Sequence, residues 1–97
     1  MPTTERFFST DDPSANGHFP GNPIIPGAVL LHDVWQAIAQ ATDAPAAAGY
    51  VRAVKFLAPV RPGTRVAIEY STSESGEVTF RCEVAGTIVM TGTVACA

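Results

Sequence analysis

The 97-residue chain has few charged residues and no excess of positive ones. Six lysines and arginines stand against nine aspartates and glutamates, which gives a formal net charge of -3. Proteins that hold nucleic acid or an anionic membrane surface do so largely through positive charge. The composition therefore argues against both as partners.

Cysteines and long apolar runs are also scarce. Neither Cys82 nor Cys96 lies in a CxxC motif or at a metal-ligand spacing, so we expect free, buried thiols and no metal site. No uninterrupted apolar stretch approaches the ~18 residues of a membrane span, and residues Met1 to Arg6 lack a charged-then-apolar leader. These absences predict a soluble, cytoplasmic protein without a membrane partner.

Length and organisation predict one small domain. Internal repeats, low-complexity segments and linkers are absent from the sequence, so we interpret residues 1–97 as a single domain. A chain of this size buries only about 60 to 65% of the surface that it exposes when unfolded. Pairing in a symmetric dimer would cover more, and such pairs are the commonest oligomers, so we expect a homodimer.

The hydrophobic period changes along the chain. Residues 5–9 predict a short strand, and the turn sequence 11–17 follows it. Residues 28–41 carry apolar side chains at helical spacing, in a stripe that nearly encircles the helix. Further strands are predicted at 50–57, 65–71, 78–84 and 88–94. The order predicts an α+β fold, an antiparallel meander wrapped around one buried helix.

The loop before the helix contains a histidine among residues that stiffen the backbone. In the run from Gly17 to Gly27, His18 is accompanied by three prolines and three glycines. Proline fixes φ, and a preorganised site needs such stiffness. An imidazole in this position is a candidate general base. A packed or solvated histidine fits the same position.

The start of the helix is a candidate oxyanion site. Pro26 and Gly27 precede the helical pattern, the first N–H groups of a helix lack intrahelical partners, and Gly27 has no side chain to shield its amide. A base and a backbone oxyanion donor together suit removal of a proton α to a thioester carbonyl. A helix terminus capped by water fits these residues as well.

The segment from His18 to Gly27, HFPGNPIIPG, resembles the signature of the hotdog-fold β-hydroxyacyl-ACP dehydratases of the FabA/FabZ type. The similarity continues through residues 34–36, VWQ, and through residues 54–63, VKFLAPVRPG. The resemblance implies a hotdog fold, in which a curved antiparallel sheet wraps around a central helix. It also implies a dimer whose acyl pocket lies at the subunit interface.

The resemblance further implies the site residues and the substrate. His18 corresponds to the catalytic histidine, and the Gly27 amide to the group that holds the thioester carbonyl. The substrate would be an acyl chain on the phosphopantetheine of an acyl carrier protein, with no metal or redox cofactor. The residues that we assign to substrate binding are Phe19, Pro26, Asp33 and Gln36. The candidates for contact with the acidic carrier are Arg52, Lys55, Arg61 and Arg65.

One position departs from the family pattern. The residue fourteen places after the histidine is an aspartate or glutamate in the family, and here it is His32. Asp33 comes one residue late, which on an α-helix is a rotation of about 100°.

Three alternatives follow from this departure. His32 is itself the acid and is catalytic, or Asp33 or a polar group of the other subunit serves. In the third alternative, no residue replaces the acid fully, and dehydration is slow or lost. The domain then hydrolyses a thioester, binds acyl carriers, or pairs as a structural subunit with an active homologue in a hetero-oligomer.

Overall fold

The computed structural model describes residues 2–9, 24–42 and 49–95. Every predicted element is found, with its ends displaced by at most two residues. The elements are β1 (Thr3–Phe8), α1 (Gly27–Thr42), β2 (Tyr50–Phe56), β3 (Thr64–Thr72), β4 (Glu77–Val84) and β5 (Thr87–Ala95).

The strands form one antiparallel five-stranded sheet in the order β1-β3-β4-β5-β2. Strands β3, β4 and β5 form the predicted meander, joined by turns at residues 73–76 and 85–86. The prediction of a meander that includes β2 is wrong, because β2 pairs with β5 at the far edge of the sheet. One helix and one antiparallel sheet in the described residues confirm the α+β, hotdog-type fold class.

The connection from β2 to β3 explains the difference. It contains Pro59 and Pro62, and proline lacks the N–H that a hairpin ladder needs. The connection therefore crosses the sheet, with the Leu57 N–H bonded to the Val89 carbonyl at 2.9 Å near one edge. Near the other edge the Gly63 N–H donates to the Phe8 carbonyl at 2.6 Å. Gly63 adopts φ 81°, a conformation that glycine reaches without steric cost.

The core lies between α1 and one face of the sheet. Strands β3 and β4 bury every second residue of their central parts, as expected when one face is apolar. The helix contributes Leu30, Val34 and Ile38 to the same cluster. The exposed residues of α1 include a stripe at i, i+4 spacing, namely Ala28, His32, Gln36 and Gln40. The apolar stripe is therefore wide but leaves one side of the helix open.

A glycine in β5 lies directly against an aromatic ring of the core. A Cβ atom at Gly92 would lie 2.6 Å from Cζ of Phe80 and 3.0 Å from the Ala53 carbonyl oxygen. Phe80 is 2% exposed and belongs to the core cluster, so its ring has little room to move.

We expect Gly92→Ala to destabilise the fold by about 1–3 kcal/mol, the usual cost of overpacking a core. Chemical denaturation measures this loss. The double variant Gly92→Ala/Phe80→Leu removes the ring atom in conflict and should lose less than the sum of the two single changes. Strict additivity would contradict this explanation.

Candidate functional site

The segment before α1 is fixed to the crossing connection by a backbone hydrogen bond. The Ile25 N–H donates to the Val60 carbonyl at 2.7 Å, and both side chains are buried in the core cluster. The chain enters the helix one residue after Pro26. The first residue of α1, Gly27, is consequently held beside the end of β2.

The start of α1 presents backbone donors that lack partners within the helix. The first intrahelical bond runs from the Leu30 N–H to the Pro26 carbonyl at 2.9 Å. The N–H groups of Gly27, Ala28 and Val29 therefore have no carbonyl one turn earlier in the helix. The helix dipole adds partial positive charge at this end. These donors suit a negatively charged or polarised oxygen.

An apolar cavity of about 410 Å³ opens at this helix terminus. Its volume falls within the range typical of small-molecule pockets. The wall on the helix side includes Ile25, Gly27 and Leu30, and the wall on the strand side includes Phe56, Leu57 and Val60. The cavity thus combines one polar element, the helix terminus, with an apolar lining.

Phe56 lies directly against Gly27. A Cβ atom at position 27 would be 3.0 to 3.3 Å from three ring atoms of Phe56. The ring is 48% exposed, so it borders the cavity on one side and the surroundings on the other. Sequence reasoning gave Phe56 no function, although it lies inside the segment VKFLAPVRPG that carried the resemblance. Phe56 reaches the cavity because it is the last residue of β2, beside the start of α1.

The two candidate acids on α1 face different directions. The Asp33 carboxylate accepts a hydrogen bond from Nη2 of Arg6 on β1 at 3.2 Å. His32 lies on the exposed stripe, and Gln36 follows it one turn later. Within the single chain, neither Asp33 nor His32 lines the apolar cavity. Gln36 instead borders a polar pocket together with Arg6 and Asp33.

The remaining predicted site residues divide into two groups. Gly27 lines the cavity, and Pro26 precedes it and accepts the first helical hydrogen bond. The positions of His18 and Phe19 lie outside the residues that the structure describes. Their assignments stay predictions.

Two of the four basic candidates for carrier contact are neutralised by neighbouring carboxylates. Arg52 forms an ion pair with Glu77, and Arg65 Nη1 donates to Glu5 at 3.0 Å. Lys55 is exposed on β2, beside Phe56, and forms no ion pair with a described residue. Of Arg52, Lys55 and Arg65, Lys55 is therefore the charge best placed for an acidic partner.

Other reactive groups in the described part of the chain offer no competing site. Burial raises the pKa of the Cys82 thiol to about 12, which keeps it protonated and poorly nucleophilic. Residues 2–9, 24–42 and 49–95 contain no cluster of three side chains that could hold a metal ion. The same residues form no helix long and apolar enough to cross a membrane.

Two curated relatives show how far the sequence similarity extends. The 3-hydroxyacyl-acyl-carrier-protein dehydratase FabZ of Sodalis glossinidius is 33% identical over 103 residues, which cover 91% of this chain and 63% of the relative. The enzyme of the same name from Chloroflexus aggregans is 36% identical over 72 residues, which cover 67% of this chain and 50% of the relative. The chain therefore spans less than two thirds of the length of these relatives.

A solved structure confirms the fold. The dehydratase heterocomplex ApeI:P from Xenorhabdus doucetiae superposes with a TM-score of 0.76 at 22% identity, over 98% of this chain and 86% of that one. This similarity supports the hotdog architecture predicted from the resemblance.

A family model also matches the chain. The model described as ApeI-like, ApeI dehydratase, matches residues 3–93, a range that contains α1 and nearly all of the sheet. The resemblance to FabA/FabZ-type hotdog dehydratases is thereby confirmed, and the chain belongs to the ApeI-like dehydratase family.

Proposed function

We propose that this chain is a 3-hydroxyacyl thioester dehydratase that acts on acyl groups bound to an acyl carrier protein. The observation that carries the proposal is the apolar cavity whose wall contains the Gly27 helix terminus. Its lining suits an acyl chain, and the unpaired amide suits the thioester oxygen. Relatives named as dehydratases of the same substrate class support this choice.

The proposed reaction removes water in two proton transfers. His18 takes the proton from Cα, and the Gly27 N–H stabilises the negative charge that develops on the thioester oxygen. The imidazolium of His32 donates a proton to the β-hydroxyl as the C–O bond breaks and water leaves. The electron pair of the former C–H bond forms the Cα=Cβ double bond. No electrons pass to an external acceptor, so the step requires no redox cofactor.

The open side of the cavity suggests a second subunit. Strand β2 is an edge strand, and large apolar side chains are exposed on it and just after it, namely Tyr50, Val51, Phe56 and Leu57. A second copy paired along β2 would cover these side chains and satisfy the free edge. Because Phe56 and Gly27 lie at this edge, the pairing would also bring a partner's residues to the cavity. A related hotdog chain is the alternative partner, since the ApeI:P neighbour is described as a heterocomplex.

The same proposal includes the surface that the acyl carrier protein contacts and the cellular location of the protein. An acidic carrier that delivers its arm to the cavity would pass Lys55, which is adjacent to Phe56 and has no ion-pair partner among the described residues. Fatty-acyl, polyketide and polyene intermediates all share the chemistry of the proposed substrate. A cytoplasmic location stays a prediction from the sequence.

The two histidines are tested by hydration of a crotonyl thioester mimic. The reaction is monitored by the loss of the mimic's ultraviolet absorbance. We expect His18→Ala and His32→Ala each to lower kcat by about 10²–10⁴-fold, the usual contribution of a general base or acid. Gln40→Ala is the matched control, because Gln40 lies on the same exposed stripe as His32 two turns later. Full turnover in His18→Ala would refute the mechanism. Full turnover in His32→Ala would mean that a group other than His32 donates the proton to the β-hydroxyl.

Gly27→Ala tests the helix terminus. The added Cβ meets the Phe56 ring at about 3 Å and displaces it across the amide, so we expect kcat/KM to fall by ~10²-fold. Because Phe56 is half exposed and can rotate, thermal unfolding should change little. Adding Phe56→Ala to Gly27→Ala removes the ring and should restore part of kcat. A Gly27→Ala protein with the activity of the wild type would show that the displaced Phe56 ring does not obstruct the amide, and would contradict this prediction.

Analytical ultracentrifugation tests the pairing along β2. Val51→Asp places a charge at the proposed seam, and like charges facing each other across a twofold axis should shift the protein from dimer to monomer. Phe7→Asp on β1 is the matched control, since Phe7 is also an exposed apolar residue but lies at the opposite edge of the sheet. Dissociation by Phe7→Asp with no effect of Val51→Asp would assign the pairing to β1.

A further inference from the structure

Asp33 is the single carboxylate of α1, and it is directed away from the cavity. The sixteen residues of the helix contain no lysine, arginine or glutamate, so Asp33 and His32 are its only ionisable residues. Asp33 binds Arg6 on β1, and β1 is the strand whose backbone approaches α1 most extensively. The charge therefore joins the helix to the strand beside it.

Arg6 is held by three separate contacts. Its Nη1 donates to the Phe7 carbonyl at 2.7 Å, and its Nη2 donates to Oδ2 of Asp33 at 3.2 Å. The guanidinium also lies over the Phe8 ring, 5.1 Å from the centroid, and Phe8 is fully buried. The guanidinium is thus anchored to β1 and donates one hydrogen bond to the Asp33 carboxylate.

The same pair contributes little to stability. The Arg6 and Asp33 side chains are 41% and 20% exposed, and exposed ion pairs contribute only about 0–1 kcal/mol. A direction-dependent contact between a helix and a strand has a second possible effect, which is to fix the orientation of the helix.

Apolar contacts do not by themselves fix that orientation through directional bonds, because the hydrophobic effect is non-directional. Besides the buried stripe, Val29, Leu31 and Trp35 on the flanks of the helix also pack against the core. The ion pair, in contrast, breaks when Asp33 moves away from β1. A single polar contact can thus determine the setting of an otherwise apolar interface.

We propose that Arg6 and Asp33 are positioning residues that set the rotation of α1, and thereby the directions of the His32 side chain and the Gly27 N–H. Residues 32 and 33 are separated by about 100° around the helix, so fixing Asp33 toward β1 directs His32 to a different side. This inference rests on the proposed function, in which His32 and Gly27 act on the substrate. Neither Arg6 nor Asp33 touches the reacting atoms in this scheme.

Steady-state kinetics on the crotonyl thioester mimic separate positioning from binding. Arg6→Gln and Asp33→Asn should each lower kcat by about 10-fold or more, because misplacement of a catalytic group by about 1 Å can cost 10²-fold. KM should stay within about twofold, since the apolar cavity is intact. The double variant should be no slower than the worse single variant, and Arg6→Lys should recover part of kcat.

Glu5→Gln is the matched control. Glu5 also lies on β1 and pairs with an arginine, Arg65, at 3.0 Å, but that pair joins two strands and does not include α1. Loss of the Glu5–Arg65 ion pair in Glu5→Gln should leave both kcat and KM unchanged.

A spectroscopic measurement on the full chain tests the positioning without turnover. The ring signals of His32, assigned with His32→Ala, and the backbone amide signal of Gly27 should shift in Arg6→Gln and remain in place in Glu5→Gln. The Gly27 amide signal is the decisive reporter, because Asp33, which contacts Arg6, adjoins His32 but lies six residues from Gly27. If the wild type shows no dehydratase turnover, the proposed function fails while these signals still test the positioning. If both the signals and kcat are unchanged in Arg6→Gln, the Arg6–Asp33 ion pair has no positioning role and the proposal is overturned.

Discussion

The hydrogen bond between the Ile25 N–H and the Val60 carbonyl is the contact on which the site depends. At 2.7 Å it joins the entry of α1 to the connection that crosses from β2 to β3. The bond holds the N–H groups at the helix terminus beside Phe56 and the apolar lining. Both side chains at this contact are buried, so the bond is shielded from competition with water.

The crossing connection has a second consequence. Because it carries the chain over the sheet, β2 is left at an edge, where it pairs only with β5 among the strands described. An edge strand with exposed apolar side chains is prone to pair with another strand. The same topological step therefore forms one wall of the cavity and exposes the surface that a partner would cover. The cavity and the seam are parts of one local arrangement.

The sequence predicted the elements well because periodicity reports burial. Strands β3 and β4 alternate strictly between buried and exposed residues in their centres, and such alternation is legible without a structure. The placement of β2 was not predictable in this way, since alternation does not say which strand is the neighbour. In the site, the motif identified Gly27 correctly as a helix terminus. It gave no indication of Arg6, because an arginine on a short edge strand is ordinary and its partner lies 27 residues away.

The displacement of the carboxylate by one residue changes what it can do. At position 33 it faces β1 and pairs with Arg6, so it contributes to the setting of the helix and is occupied by a cation. The residue left at the family's acidic position is His32, on the exposed side of α1. The exposed side of α1 that carries His32 is open to substrate or to a partner subunit, as the proposed acid role requires. The one-residue displacement thus separates a carboxylate that joins the helix to β1 from a histidine that is left for the proposed chemistry.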